Sequence, residues 1–143
     1  MKELEKMLKL GKEYKIIKVD EKQKDRQTIH EIYIESSKKK VRCPNCNCFT
    51  SSIHDRLKPI HIKSLKIYEI PTELVQTKRR FICHKCNKKF TEPSTLNDKN
   101  NSISNLLKQK ILKDLLDYNL SLDYIAKENN ISDNTVRNRY VSL

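Results

Sequence analysis

The sequence predicts a small α+β protein made of three consecutive modules. Strand-like segments fill the first part of the chain, two Cys-x₂-Cys pairs mark the middle, and a cysteine-free helical pattern closes the sequence. We place the module boundaries at 1–42, 43–92 and 93–143.

Composition indicates a thin hydrophobic core. Hydrophobic residues make up 36% of the 143 residues and charged residues 34%, so modules of this size need a metal or disulfides to supplement packing. The first 15 residues alternate charge with leucine, unlike a secretory signal, and no segment has the roughly 20 apolar residues of a membrane span. We therefore expect a reducing cytoplasm and no membrane association. There, closely spaced cysteines bind metal more often than they pair.

The net charge of +12, from 30 basic and 18 acidic residues, favours polyanionic partners such as nucleic acid or an anionic membrane surface. A solubilising surface is the alternative interpretation. Charge alone does not choose between them.

The first module predicts a short helix and a β-hairpin. Residues 2–10 have the helical pattern and Gly11, the only glycine, follows as its terminator. Residues 14–19 and 28–34 are rich in β-branched and aromatic side chains, which predicts two strands. The polar residues 20–27 would form the hairpin loop.

The cysteine pairs predict a closed metal site formed by Cys43, Cys46, Cys83 and Cys86. Each Cys-x₂-Cys turn supplies two thiolates, and two such turns complete the tetrahedral shell of a structural Zn²⁺, with no position left for catalysis. Iron in a rubredoxin-like site is the minor alternative. The residue after each second cysteine is an asparagine, which tolerates the left-handed backbone conformation that these turns need.

Four further residues in this segment offer metal-binding atoms: Cys48, His54, His61 and His84. With four ligands already assigned, we expect Cys48 to be a bystander. The three histidines would be surface residues or contacts to nucleic acid, and none has the surroundings of a catalytic nucleophile.

Between the cysteine pairs, residues 60–62, 65–68 and 73–81 are predicted strands. The last of them ends in a basic group, and we predict phosphate contacts for Lys78, Arg79 and Arg80. The alternative is a solvated strand face with Phe81 in a small core.

The last module predicts an amphipathic helix followed by a helical pair. Leucine and isoleucine recur at spacings of three and four from Ile103 to Leu120, which indicates a helix of about 15 residues. Ser121 and Ser132 are predicted N-caps of two shorter helices.

The two shorter helices match a helix-turn-helix. Ala126 allows close helix crossing, Asn130 suits a turn with positive φ, and Val136 packs back from the second helix. That helix would enter the major groove of DNA. The alternative is a helical hairpin with solvated faces. The predicted DNA contacts are Ser132, Asn134, Thr135, Arg137, Asn138 and Arg139.

Several of these motifs together resemble the N-terminal region of bacterial insertion-sequence transposases of the ISL-three family. The resemblance runs through Cys43-Pro-x-Cys46, residues 53–56 (IHDR), 60–65 (IHIKSL), 78–81 (KRRF) and 89–92 (KFTE), and the predicted helix-turn-helix sits where that family has one. Asn47 and Asn87 stand where the family usually has glycine or another small residue.

The resemblance implies recognition of the terminal inverted repeats of a transposable element. It also implies that strand transfer belongs to a longer downstream RNase H-like domain, with three acidic residues and Mg²⁺, that this sequence lacks. We therefore expect no enzymatic activity from these residues and a location on the bacterial nucleoid.

We thus predict a zinc-dependent, sequence-specific reader of double-stranded DNA, compatible with self-association. The alternative is a zinc-ribbon adapter that binds RNA or a protein partner through its helical segment.

Overall fold

The computed structural model describes residues 2–97 and 102–140, where three β-sheets precede three of the four helices. Strands and helices are both present, which confirms the α+β class. In chain order the elements are α1 (Lys2–Met7), β1 (Tyr14–Lys24), β2 (Gln27–Ser36), β3 (Val41–Arg42), β4 (Phe49–Thr50), β5 (Ile53–Arg56), β6 (Ile60–Ile67), β7 (Ile70–Gln76), β8 (Arg79–Ile82), β9 (Lys89–Thr91), α2 (Asn105–Leu115), α3 (Leu122–Glu128) and α4 (Asp133–Tyr140).

The largest sheet has four strands in the order β1-β2-β7-β6. Its central pair, β2 and β7, is parallel, and the two outer pairs are antiparallel. The N-terminal hairpin therefore shares a sheet with strands that lie between the two cysteine pairs. The module boundaries at 42/43 and 92/93 stay predictions.

Both hairpins of this sheet close through two-residue turns. Asp25 and Arg26 have φ of 51° and 64°, and Tyr68 and Glu69 have φ of 50° and 64°. Left-handed conformation at both central residues is what a type I′ turn requires. The predicted loop over 20–27 is wrong, because the strands continue up to the turn. The usual Asn-Gly or Asp-Gly signal is absent at both turns, so no local pattern predicts their type.

Helix α1 ends earlier than predicted. The left-handed residue that closes it is Lys9, with φ of 53°, and Gly11 takes its positive φ in the turn that follows. The N–H of Leu10 donates to the Glu5 carbonyl at 3.0 Å, and the N–H of Lys9 donates to the Lys6 carbonyl at 3.1 Å. These two bonds form a Schellman cap, which satisfies the last carbonyls of the helix.

One face of the four-stranded sheet is covered by α1 and by the segment that follows β9. The core there is entirely aliphatic apart from one tyrosine, and Leu96 joins it from beyond the cysteine segment. Tyr14 marks this junction, since its hydroxyl accepts the N–H of Thr95 at 3.1 Å. The buried members are Leu8, Leu10, Tyr14, Ile16, Ile32, Ile34, Ile62, Ile67, Leu74 and Leu96.

The strand predicted over 73–81 is two strands in different sheets. Strand β7 ends at Gln76 in the four-stranded sheet, and β8 begins at Arg79 in a three-stranded sheet of order β5-β8-β9. Thr77 and Lys78 carry the chain from one sheet to the other. Strand propensity is continuous across this point, so only the distant pairing partners reveal the break.

Helix α2 has 11 residues, and its N-cap is Ser104, whose side chain accepts the N–H of Leu107 at 3.1 Å. It is shorter than predicted because Ile103 lies outside it and forms a β-bridge with Lys63. The row that contains Leu107 and Ile111 is buried. Leu116, on the second apolar row, is 83% exposed.

Helices α3 and α4 pair through a four-residue connection. The predicted caps are confirmed, since Ser121 accepts the N–H of Tyr124 and Ser132 accepts the N–H of Thr135. Asn130 has φ of 55°, as predicted for the turn. The second core lies between these helices and α2, with Ile103, Leu107, Ile111, Ile125, Ala126 and Val136 buried.

Strand β6 connects the four-stranded sheet to α2, α3 and α4, which together form the helical unit. The backbone of Lys63 exchanges hydrogen bonds with Ser102 and Ser104, both at 2.8 Å. Its ammonium donates to the Asn130 carbonyl at 3.0 Å, and Leu65 packs against the helical core. One strand thus fixes both the start of α2 and the turn before α4.

A buried polar network joins α2 to the end of α3. Asn129 is 4% exposed, and its amide donates to Asp114 at 3.2 Å and to the Ile125 carbonyl at 2.8 Å. Its carbonyl oxygen accepts from Lys110 at 2.9 Å, and Lys110 also pairs with Asp114. The side chains of Lys110, Asp114 and Asn129 therefore all have hydrogen-bond partners within the network.

We expect Asn129→Ala to lower the free energy of unfolding of the helical unit by about 1–3 kcal/mol, because it removes the buried amide that bonds to the half-buried Asp114–Lys110 pair and to the Ile125 carbonyl. Hydrogen exchange of the α2–α4 amides measures this loss. Asn119→Ala is the matched control, since Asn119 is exposed and only its backbone N–H bonds to Asp117. Equal protection in the two variants would contradict the assigned role of the network.

Candidate metal centre and nucleic-acid interface

Each Cys-x₂-Cys pair lies in the turn of a short hairpin. Cys43 and Cys46 occupy the turn between β3 and β4, and Cys83 and Cys86 occupy the turn between β8 and β9. The pairing of β8 with β5 extends the second hairpin into the three-stranded sheet. The long segment between the pairs carries β6 and β7 away into the larger sheet.

The two turns, which we call the first and second knuckles, have the same backbone geometry. In the first, the N–H of Asn47 donates to the Cys43 carbonyl at 2.9 Å, and the N–H of Cys43 donates to the Cys48 carbonyl at 2.8 Å. The second turn repeats both bonds at equivalent positions, at 2.7 and 2.9 Å. Asn47 and Asn87 have φ of 63° and 61°, which confirms the prediction made for them.

The four sulfur atoms converge. Cys43 Sγ lies 3.6 Å from Cys86 Sγ, Cys46 Sγ lies 3.4 Å from Cys83 Sγ, and all four atoms are within 4.8 Å of one another. A tetrahedral ion with Zn–S bonds of about 2.3 Å would separate its ligands by about 3.8 Å. Cys43 and Cys83 are buried, so the residues fit a closed structural Zn²⁺ site.

In the second turn, hydrogen bonds to sulfur favour the thiolate form that zinc requires. In the first turn, the backbone N–H of Cys48 lowers the pKa of Cys46, but the adjacent Cys83 thiol and burial outweigh it and raise that pKa to about 12. The side chain of Asn45 and then the backbone N–H of Lys88 lower the pKa of Cys86 to about 6. Backbone N–H groups of Cys86 and Lys85 lower the pKa of Cys83. These donors stabilise the thiolate forms of Cys83 and Cys86, the forms that bind the metal.

The other candidate ligands lie outside this cluster. Cys48 contributes its carbonyl to the first turn, while its sulfur is not among the four that converge. His54 is exposed, and His84 Nε2 lies 2.7 Å from Ser52 Oγ. His61 instead contacts two carboxylates on the large sheet, a cluster that sequence reasoning missed because its members come from three strands.

Arg79 is a predicted phosphate contact. Its side chain is held by neighbouring protein groups in the ribbon, the segment that carries both knuckles. Its guanidinium pairs with Glu92, which is 4% exposed, and donates to the Lys38 carbonyl at 2.8 Å. The same group lies 4.9 Å from the centre of the Phe81 ring. The side chain keeps only 16% of its surface exposed, so it joins the second knuckle to the linker before the first.

Arg80 and Lys78 flank this position. Arg80 forms a two-point ion pair with Asp55 across β5 and β8, its Nε lying 2.8 Å from Oδ1. Lys78 is half-buried, and its ammonium has no hydrogen bond or ion pair within 2–97 and 102–140. Phosphate contact by these three residues stays a prediction.

The residues predicted to contact bases lie on or beside α4. Val136 is fully buried, whereas the flanking polar side chains face outward. Ser132 and Thr135 share a hydrogen bond at 2.7 Å within the cap, and Thr135 is half-buried. The exposed members are Ser132, Asn134, Arg137, Asn138 and Arg139.

We expect removal of zinc by a strong chelator to unfold both knuckles, because apparent zinc binding of about 10–16 kcal/mol is their main stabiliser. Elemental analysis and NMR of the β8–β9 amides report the loss. Cys83→Ser should bind no zinc, whereas Cys48→Ser should retain one equivalent. Knuckles that stay folded in the metal-free chain would contradict this account.

We expect Arg79→Lys to lower the free energy of unfolding by about 1–3 kcal/mol, since lysine cannot reproduce the fork that joins Glu92 to the Lys38 carbonyl. Arg80→Lys is the matched control. Its pair with Asp55 is partly exposed, so the loss should stay below about 1 kcal/mol. Thermal unfolding of the zinc-loaded chains compares them, and equal losses would refute the distinction.

Comparison with known proteins bears on the cysteine region. Residues 39–86 match the family model described as the zinc-finger of transposase IS204/IS1001/IS1096/IS1165. No curated protein and no solved structure matches the chain. Within the described residues, no helix is long and apolar enough to cross a membrane. The chain therefore contains a transposase-type zinc ribbon with its four cysteines placed to bind a metal, an arrangement consistent with nucleic-acid binding.

Proposed function

We propose that this chain is a sequence-specific double-stranded DNA-binding protein, and that its sites are the terminal inverted repeats of a transposable element. The observation that carries this is α4: a capped helix with a buried anchor and an exposed polar face, fixed to the sheet through Lys63. The transposase-type ribbon supports the choice of nucleic acid as partner.

The exposed face of α4 has the chemistry of base readout. Arg137 and Asn138 are exposed beside the buried Val136, and Asn134 is exposed one turn earlier. Arginine recognises guanine and asparagine recognises adenine through paired hydrogen bonds in the major groove. A helix held by its buried face presents these groups with little conformational freedom to lose on binding.

The ribbon supplies positive charge for phosphate contacts. Basic side chains are exposed around both knuckles, and Arg42 stacks on the exposed ring of Phe49 at 5.0 Å. Such charges add affinity that is independent of sequence and falls as salt rises. The exposed members are Lys39, Lys40, Arg42, Lys85, Lys88 and Lys89.

In this proposal the chain recognises DNA and does not cut it. Bound to element ends without strand transfer, it would act as a repressor of transposition. Incubation of the zinc-loaded chain with DNA and Mg²⁺ tests this, because strand transfer or nicking would contradict it. Self-association and a place on the nucleoid stay predictions.

A second candidate function is docking of a protein partner on the helical unit. Leu116 and Tyr118 are 83% and 95% exposed at the end of α2, and Tyr124 is 51% exposed on α3. Exposed apolar groups of this size favour contact with another macromolecule. They belong to α3 and to the end of α2, whereas the proposed base contacts belong to α4 and its cap, so different substitutions test the two functions.

Selection from a random duplex pool should recover a motif with the wild-type chain, and Arg137→Gln should relax one base position at a cost of about 1–3 kcal/mol. Lys127→Gln is the matched control. It removes one exposed charge from α3, where Lys127 pairs only with Asp123 at the surface.

The control should recover the wild-type motif with a slightly weaker salt dependence. If Arg137→Gln and Lys127→Gln weaken binding equally on all sequences, base readout by α4 is wrong. If neither changes binding while Tyr118→Ser abolishes capture of a protein partner, the docking function replaces the proposal.

A further inference from the structure

A row of acidic residues crosses the sheet on the face opposite the α1 core. Asp20, Glu31 and Glu73 are in register on β1, β2 and β7. Their neighbours Ile32 and Leu74 point into the core, and successive side chains of a strand alternate between faces. The three carboxylates therefore share one side of the sheet, where like charges in adjacent register positions destabilise.

His61 completes a cluster with two of these carboxylates. From β6, its Nδ1 lies 3.2 Å from Glu73 Oε2 and 3.6 Å from Glu31 Oε2. The three potential ligand atoms lie within 4.8 Å of one another. The side chain of Glu31 is 7% exposed and that of Glu73 is 13% exposed, whereas His61 is 47% exposed and leaves one side open to water.

The chain gives Glu31 little compensation for its burial. In the described part of the chain neither of its carboxylate oxygens has a hydrogen bond, and its closest ion-pair contact is the 3.6 Å approach of His61. Lys18 adds an electrostatic attraction to Glu31, but its ammonium pairs with Asp20, and Lys63, in register with Glu73, donates to the Asn130 carbonyl. A buried carboxylate without a close partner carries a large desolvation cost.

A single imidazole cannot satisfy both carboxylates. Both approach the same atom, Nδ1, which can donate only one proton. A divalent cation at this point would instead accept an electron pair from Nδ1 and from one oxygen of each carboxylate. It would also offset both negative charges at once.

We propose that Glu31, His61 and Glu73 form a second metal site, which takes a divalent transition-metal ion. One imidazole and two carboxylates are borderline-to-hard donors suited to Zn²⁺, Co²⁺ or Mn²⁺. The site differs from the ribbon in having three protein ligands and a solvent-facing side. A bound ion would cross-link β2, β6 and β7, and so stabilise the strand that carries the helical unit.

Cobalt is the probe that separates the two sites. The full-length chain is first loaded with one equivalent of zinc in the ribbon and is then dialysed against Co²⁺. We expect one further equivalent of metal, without the intense thiolate-to-cobalt absorption that exchange into the ribbon would produce. Elemental analysis gives both metals in the same sample.

Glu31→Gln keeps the shape of the side chain and should weaken cobalt binding at least about tenfold. His61→Ala should do the same, and its exposed position makes it the safer variant for folding. Glu35→Gln is the matched control, since Glu35 lies on the same strand and pairs with Lys15 at the surface. Circular dichroism and the retained ribbon zinc report folding for each variant.

Two results would overturn the inference. If the wild-type chain binds no cobalt beyond the ribbon, the three side chains contact one another without forming a metal site. If Glu31→Gln, His61→Ala and Glu35→Gln bind cobalt equally, the ion sits elsewhere. Neither result depends on DNA binding, so the proposed function is tested separately.

Discussion

The four cysteine sulfurs form a clamp between two turns that are far apart in the sequence. It joins the turn at Cys43–Cys46 to the turn at Cys83–Cys86, and so closes the long segment that contains β6 and β7. Those strands return to the N-terminal hairpin and pair β7 with β2 in parallel. Closing a long loop is entropically costly, and a metal bond of this strength offsets that cost in a chain with a thin core. Arg79 supports the same closure from the protein side, because it ties Glu92 after the second knuckle to the Lys38 carbonyl before the first.

A series of contacts connects this clamp to α4, the helix proposed to contact DNA bases. The clamp sets the path of β6, and β6 holds the helical unit through Lys63 and Leu65. The ammonium of Lys63 donates a hydrogen bond to the carbonyl of Asn130. Asn130 has a positive φ in the turn that sets the direction of α4. The proposed metal site at His61 lies two residues earlier on the same strand, so an ion there would stiffen this connection. These contacts connect the ribbon to the helices, so the proposed phosphate contacts and the proposed base contacts would keep a fixed spacing.

Local chemistry made part of this structure predictable. The cysteine spacing predicted the metal centre, Asn47 and Asn87 predicted the left-handed turns, and Ser121 and Ser132 predicted helix starts, because each signal acts within a few residues. What could not be predicted was non-local. Nothing near residue 77 shows that the chain changes sheets there, and nothing near Glu31 shows that His61 and Glu73 will meet it. The same is true of Arg79, because nothing near it in the sequence shows that Glu92 lies beside it in the fold. Propensity describes a residue's neighbours in sequence, whereas these outcomes depend on partners in space.

The proposed recognition of bases by α4 in the major groove can be tested at single atoms of the DNA. The most direct measurement replaces each guanine of a duplex recovered by selection with 7-deazaguanine, which removes only the N7 acceptor of the major-groove edge. The account predicts a loss of affinity of about 1–3 kcal/mol at one or more guanines, and no such loss for Arg137→Gln at the guanine that Arg137 contacts. Unchanged affinity at every major-groove position, with loss on replacing guanine by inosine in the minor groove, would contradict it.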